Sequence, residues 1–458
     1  MNQLPSSLLA SLTLFPGFEP EKFIAAHAES EKLTSLRMNP FKPIDSYNNY
    51  EKVKWNPSGY YLPERPSFIT DPLFHAGCYY VQEASSMFLE QVLKSHLDLS
   101  KPLKVLDLCA APGGKSTLLT SLISDDSLLV ANEVIKTRVH VLAENLSKWG
   151  RANVIATNSD PKHFASLPGY FDVIVVDAPC SGSGLFRKQP EAIGEWSEEA
   201  VNKCSQRQER ILADVLPALK ENGLLIYSTC SYSSEENEAI CDWLCEHEAL
   251  TSQSCPVPED WGIEETLSIQ HKAKGYRFYP HKVKGEGFFM ACFTKKASAE
   301  YRLKPSKNTV TRLSKQESAL IPAWLKLDKP YELFKQGENI YLMHSAHIDE
   351  LQRLSGHLYI KKSGVEVGQI KGKDFIPHHQ LALSTYLSAE VPSISLDKTQ
   401  ALQFLKKEDL KITAPENGFH LVKFQGYGLG WVKILPNRVN NYLPKEWRIL
   451  KNIEEYLV

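Results

Sequence analysis

Between residues 103 and 295, short hydrophobic runs alternate with amphipathic helical patterns, and this alternation constrains the fold more than any other feature of the chain. It is the signature of a mostly parallel sheet covered by helices on both faces. The runs expected as strands are Lys104–Leu108, Leu128–Ala131, Asn153–Thr157, Phe171–Val176 and Leu224–Ser228. A helix is expected from Thr137 to Trp149, stopped by Gly150. Another opens at Ser197, whose hydroxyl can cap the first turn ahead of Glu198 and Glu199, and continues to a stop at Gly223. A third is expected from Ser233, where Ser-Ser-Glu-Glu has the form of a capping box closed by Glu236. The runs Tyr276–Tyr279 and Gly287–Phe293 should close the sheet as an antiparallel pair.

At 458 residues with 43% hydrophobic content, the chain is long enough for two or three cores. Charge divides it. Residues 1–300 carry 29 Lys and Arg against 38 Asp and Glu, whereas residues 301–458 carry 23 against 16, a net of −9 followed by +7. Such asymmetry suggests an enzyme joined to a module that meets a polyanion. The nine cysteines all precede residue 293 and form no Cys-x-x-Cys pair, which argues for reduced thiols and against both a disulfide framework and a zinc site. No apolar run approaches membrane-spanning length, and the first residues lack a basic leader, so a cytoplasmic protein is expected. The expected organisation is a small α+β extension over 1–75, the sheet domain over 76–296, a linker rich in Lys, Ser and Thr over 297–318, and the basic module over 319–458.

Val105–Ser116 reads VLDLCAAPGGKS, a strand, a glycine loop and then a helix opening at about Ser116. At the carboxyl end of a strand this is where an open α/β sheet binds its ligand. A phosphate-binding loop would need Gly where Cys109 stands, so a nucleoside triphosphatase is disfavoured. The next strand ends in Glu133, an acidic side chain suited to ribose hydroxyls. The third ends near Asp160, which is placed to meet a base. A glycine loop, a Glu and an Asp at successive strand ends point to an adenosine-bearing ligand.

Asp177-Ala178-Pro179-Cys180 follows the run VIVV, and Ser228-Thr229-Cys230-Ser231 follows LLIY, so two cysteines sit at the ends of successive strands and should face one cleft. Two thiols beside an aspartate suit methylation at carbon 5 of cytosine. That carbon is a weak nucleophile until a thiolate adds at carbon 6, and the adduct gains from a proton shared with the ring nitrogen, a role for Asp177. Transfer to an exocyclic amine needs no thiol. The residues alone do not say which cysteine attacks. The target base must leave its stack to reach the cleft, least expensively from a loop.

In order, LCAAPGGK, Glu133, DAPCSGSG and STCS resemble the NOP/Sun family of RNA cytosine-5 methyltransferases. SLRMNPFK (35–42), FHAGCYYVQEASSM (74–87) and PHKVKGEGFFMACF (280–293) extend the likeness over about the first 295 residues. The resemblance implies a Rossmann-like fold with a seven-stranded sheet and S-adenosylmethionine (SAM) as cofactor, bound by Cys109, Ala110, Ala111, Pro112, Gly113, Gly114, Lys115, Glu133, Arg138, Asp160 and Asp177. It also implies that Cys230 is the nucleophile and that Cys180 assists product release. GQIKGKDFIPHHQLALS and GWVKILPNRVNNYLPKEWR are similar to the tail of the F group of bacterial small-subunit rRNA methyltransferases, which carries a PUA-like RNA-binding domain. That likeness implies an RNA partner, small-subunit rRNA or the assembling subunit. Lys371, Lys373, Lys433, Arg438, Lys445 and Arg448 are its candidate phosphate contacts, with Tyr427, Trp431 and Tyr442 interleaved for packing or base stacking. The same chemistry on tRNA, and a SAM-binding RNA scaffold without turnover, are the alternatives; a DNA methyltransferase is disfavoured by the resemblance.

Overall fold

The computed structural model describes residues 3–28, 33–247, 249–296, 310–327 and 330–451. Its centre is a ten-stranded sheet in the order Glu264–Leu267, Lys274–Phe278, Phe288–Lys295, Leu219–Thr229, Phe171–Asp177, Lys104–Asp107, Leu128–Asn132, Val154–Thr157, Ile360–Ser363, with Leu250–Gln253 paired beside Phe288–Lys295. The five strands from Leu219–Thr229 to Val154–Thr157 run parallel. Leu128–Asn132 and Val154–Thr157 are buried at every position, as expected of strands covered on both faces. The expected seven-stranded core is therefore present, and three further strands widen it.

One of those three comes from the basic half of the chain. Ile360–Ser363 pairs antiparallel with Val154–Thr157, with a register shift between Ile360 and Lys362. The Ile348–Ser355 helix just before it packs Ile348, Leu351 and Leu354 into the same core as Phe164, Tyr170 and Phe171. The Tyr170 hydroxyl donates to Glu350 at 2.5 Å, and Lys104 pairs with the same carboxylate at 3.0 Å. The rest of this half forms a five-stranded sheet, Thr311 to Pro377, and a four-stranded sheet, Ser393 to Asn441. Of the expected linker, residues 297–309 lie outside the described residues; Thr311–Arg312 pairs with Tyr331–Gln336, and Ser314 opens a short helix with a complete capping box. At the other end of the chain, Thr34–Met38 joins Gly59–Leu62 and Tyr79–Val81 in a three-stranded sheet, whose Leu36 and Met38 share a core with Phe404, Val422 and Val432.

Three local expectations are corrected. The helix capped by Ser197 ends at Val215 rather than near Gly223, and the next strand starts at Leu219, passing Asn222 at φ +60° where the register to Phe171–Asp177 shifts. Pro217 explains the early stop, since its ring cannot continue a helical ladder. The helix after the glycine loop starts at Gly114, two residues ahead of Ser116. The capping box at Ser233 does not form: Ser234–Glu236 is a single 3₁₀ turn, the α-helix starts at Glu238, and Glu236 is turned into the interior, fully buried.

Where the strands end, a single amide ties them together. Asn132, buried, donates to the carbonyls of Leu108 (3.1 Å) and Ser159 (3.0 Å) and accepts from the Thr157 hydroxyl (2.7 Å) and the Ser159 amide (2.9 Å). Its own carbonyl receives the Ala110 N–H at 2.8 Å, which anchors the glycine loop. Asn132→Ala leaves the groups bonded to its side chain without their partners and should destabilise the sheet domain by about 2–4 kcal/mol. Thermal unfolding at an unchanged temperature would show that the strand ends hold without it.

Candidate active site

The loop after Lys104–Asp107 makes its turn at Gly113, whose φ of +116° only glycine adopts readily, and the Gly114–Leu122 helix follows at once. Cys109, Ala110, Ala111, Pro112, Gly114, Lys115 and Asp177 line one cavity together with Asp107. Lys115 pairs with Asp177 at 2.8 Å, and the Ser228 hydroxyl donates to the other oxygen of that carboxylate at 2.8 Å. Glu133 accepts the Ile135 amide at 2.9 Å and lies 3.6 Å from Arg138, which donates to the Ala111 carbonyl at 2.5 Å. Arg138 thus braces the loop from the following helix, paired with Glu133 at the strand end; neither side chain lines the cavity. Asp160 does not line this cavity; it caps the following turn by accepting from the Lys162 amide at 3.2 Å.

Asp107 is a site residue that the motif reading left out. Its side chain is fully buried: Oδ2 accepts from the Ser116 hydroxyl at 2.6 Å, and Oδ1 has no partner. Burial pushes its pKa up to about 7, against the pull of Ser116 and Lys115. The signal was the lone charge closing the apolar run VLD. Tyr80, Val81, Gln82, Glu83 and Ser86, from the strand Tyr79–Val81 and the residues after it, complete the cavity wall. No local pattern placed them there, because they reach the cavity only through tertiary packing.

The two cysteines meet. Cys180 Sγ and Cys230 Sγ are 3.1 Å apart, a thiol hydrogen bond between free cysteines. Sharing that bond with Cys230, together with burial, raises the Cys180 pKa well above the usual thiol range. The loops carrying them are stitched by backbone: Gly184 donates to the Cys230 carbonyl at 2.8 Å, and Gly287 donates to the Gly184 carbonyl at 3.0 Å. A Cβ on Gly184 would lie 2.3 Å from the Gly287 carbonyl oxygen and 2.7 Å from that of Cys230, so only glycine permits this approach.

The candidate phosphate contacts fall on two sheets. Lys371 and Lys373 flank the turn between Val365–Lys371 and Asp374–Pro377, while Lys433 and Arg438 lie on paired strands of the four-stranded sheet, followed by Lys445 and Arg448. All but Lys433, which sits over the Phe419 ring at 5.1 Å, are exposed. Of the interleaved aromatics, Trp431 is fully buried and donates to the His378 carbonyl at 2.9 Å, so it packs rather than stacks on a base. Tyr442 is 38% exposed. Among the described residues no helix is long and apolar enough to cross a membrane.

Comparison with known proteins agrees with this geometry. The 16S rRNA methyltransferase RsmB/F family matches residues 94–294, the N-terminal domain of 16S rRNA methyltransferase RsmF matches 4–84, and the methyltransferase RsmF PUA domain matches 391–449. The ribosomal RNA small subunit methyltransferase F of Serratia proteamaculans is 30% identical, covering 96% of this chain and 96% of its own. The protein of the same name from Aeromonas salmonicida is 32% identical over 87% of this chain and 85% of its own. Among solved structures, a methyltransferase homolog protein from Pyrococcus horikoshii covers 64% of this chain and 100% of its own at 28% identity and a TM-score of 0.51. NSun6 from the same organism shares the fold, with 20% identity, a TM-score of 0.53, and coverage of 64% and 99%. With its glycine loop, its paired cysteine loops and its PUA-like tail, the chain belongs to the 16S rRNA methyltransferase RsmB/F family.

Proposed function

We propose that this chain methylates carbon 5 of a cytosine in small-subunit ribosomal RNA, with SAM as methyl donor and Cys230 as covalent nucleophile. The observation that carries the reading is the 3.1 Å contact between Cys180 and Cys230, whose strands run side by side with the Asp177–Lys115 pair. A methyltransferase acting on an amine has no use for two thiols at one strand-end cleft.

The residues around the glycine loop fit SAM. The unpartnered, buried Oδ1 of Asp107 suits a ligand ammonium, Cys109 to Pro112, Gly114 and Lys115 line the cavity beside it, and the Glu133 carboxylate at the next strand end suits ribose hydroxyls. When bound, SAM supplies an electrophilic methyl group. The chain's own residues do the rest. The Cys230 thiolate adds to carbon 6, forming the S–C bond as the C5=C6 π pair moves toward carbon 5 and the ring. Asp177, held by Lys115 and Ser228, shares a proton with the ring nitrogen and stabilises that charge. After carbon 5 carries its methyl group, its proton passes to solvent, the C5=C6 bond re-forms and the S–C bond breaks. Cys180, kept protonated by burial and by its bond to Cys230, donates its proton to the departing sulfur. The exposed cations of the C-terminal module, Lys371, Lys373, Arg438, Lys445 and Arg448, would hold RNA phosphates, with Lys433 beside them.

Cys230→Ala should abolish both methyl transfer and covalent capture of 16S rRNA in a denaturing gel; capture that persists would reject this nucleophile. Cys180→Ala should leave attack intact and accumulate the protein–RNA adduct, and release at the wild-type rate would remove its role. The substrate assignment is tested in the same assay, where 16S rRNA or the small subunit should accept labelled methyl and tRNA should not. Asp107 adds a pH dependence. An acid whose folded pKa is raised to about 7 contributes stability that is complete below the ordinary aspartate value and disappears as pH rises through 7. Comparing wild type with Asp107→Asn in the ligand-free state, the difference in stability should change by about 3–4 kcal/mol between pH 4 and 8, favouring the variant at the alkaline end. The variant should also bind SAM at least about tenfold more weakly at pH 8. Parallel pH curves for the two proteins would contradict the buried, ionisable Asp107.

A further inference from the structure

We propose that Glu236 is the positioning residue that holds the two catalytic sulfurs at their working separation, acting by the reach of its side chain across both cysteine loops. The inference rests on the assignment of Cys230 as nucleophile and Cys180 as its helper.

Each cysteine is followed by a serine, and Glu236 takes hold of both. Its Oε1 accepts the Ser181 backbone amide at 2.7 Å, and its Oε2 accepts the Ser181 hydroxyl at 2.6 Å and the Ser231 hydroxyl at 2.5 Å. Gln208, which also donates to the Pro179 carbonyl at 3.0 Å, reaches Oε1 at 3.4 Å. The carboxylate therefore spans from the residue after Cys180 to the residue after Cys230. Its own position is secured from behind, because the Tyr227 hydroxyl donates to the Glu236 carbonyl at 2.6 Å. Asn237 continues the clamp, accepting from the Thr229 hydroxyl at 2.6 Å and donating to the Ser231 carbonyl at 2.9 Å. Both Glu236 and Asn237 are fully buried, so neither touches RNA or cofactor. A helix cap at this point would have left Glu236 at the surface. Instead the chain breaks into a 3₁₀ turn, with Asn237 at φ −121° and ψ −92°, and the carboxylate is delivered inward.

A clamp of this kind matters most when the sulfurs must exchange a proton. Attack by Cys230 needs only its own thiolate, whereas release needs Cys180 within hydrogen-bonding distance of the departing sulfur. A shift of about 1 Å in one loop can slow such a step by roughly a hundredfold. Side-chain length, rather than charge, is the property the geometry uses: a glutamine can accept the Ser181 amide and donate to the two hydroxyls once these rotate, while an aspartate keeps the charge but falls a methylene short.

Single-turnover methylation of 16S rRNA, with adduct and free product resolved on a denaturing gel, tests this. Glu236→Asp should slow release by about tenfold to a hundredfold and accumulate adduct, with SAM affinity by equilibrium dialysis unchanged within about twofold as the measure of an intact fold. Glu236→Gln should slow release by no more than about threefold. Ser231→Ala, which cuts only the Cys230 arm of the clamp, should slow release in the same direction by several-fold and keeps the test open if the Asp variant does not fold. Wild-type release in both Glu236→Asp and Ser231→Ala, or a Gln variant slower than the Asp variant, would overturn the proposal. If Cys230→Ala still forms adduct, the underlying nucleophile assignment fails instead, and the two failures are told apart by that control.

Discussion

The parallel pairing of Phe171–Asp177 with Leu219–Thr229 is the constraint on which the site depends. Register sets Asp177 opposite Ser228, so the residues three and two positions further on, Cys180 and Cys230, leave the sheet side by side. Shifting that register by one residue would turn every side chain of the strand to the opposite face and separate the thiols. The register is held along its length by Val173, Ile174, Val175 and Val176 against Leu224, Leu225, Ile226 and Tyr227, all buried. Burial of apolar surface at that interface thus fixes a distance between two polar atoms at its end.

Beyond the strand ends, hydrogen bonds from buried polar groups take over from apolar packing. Asn132 joins the glycine loop to the next two strand ends, and Glu236 joins the two cysteine loops. Buried amides and carboxylates of this kind are costly unless every partner is present, which makes them specific: the loops have one arrangement that satisfies them all. Asp107 departs from this pattern, with one oxygen unpartnered and its carboxyl pushed toward protonation by burial. In the proposed function, that oxygen in the cavity wall is the one left for a ligand ammonium.

The N-terminal sheet and the basic half are packed into the central domain. The basic half contributes an edge strand to the catalytic sheet and a helix to its core, while the N-terminal sheet shares a core with the four-stranded sheet of the tail. Arg37, from the N-terminal sheet, is buried and donates to Thr117 at 2.6 Å and to the Gly114 carbonyl at 3.2 Å, on the helix that follows the glycine loop. Surfaces available to RNA are thereby fixed relative to the sulfurs by packing, which suits a structured substrate.

The α/β class, the parallel strands, the glycine loop, Glu133 and both cysteine turns were legible in the sequence, because hydrophobic period and turn chemistry are local properties. The division of labour between Cys180 and Cys230 came from resemblance, since nothing local distinguishes two thiols at strand ends. Tertiary structure decided what local rules could not. Ser-Ser-Glu-Glu reads as a cap, yet Glu236 turns inward because Ser181, from a loop far along the chain, and Ser231, five residues back, together offer it more hydrogen bonds than a helix terminus does. Trp431, one of three aromatics among cations, is buried against Trp324, whereas the end of the Ser197 helix at Val215 follows from Pro217 close by and is a local effect. For Glu236 and Trp431 the outcome depends on a partner far along the chain, Ser181 and Trp324, and the free energy of satisfying a buried polar group or filling a core outweighs the small local preference.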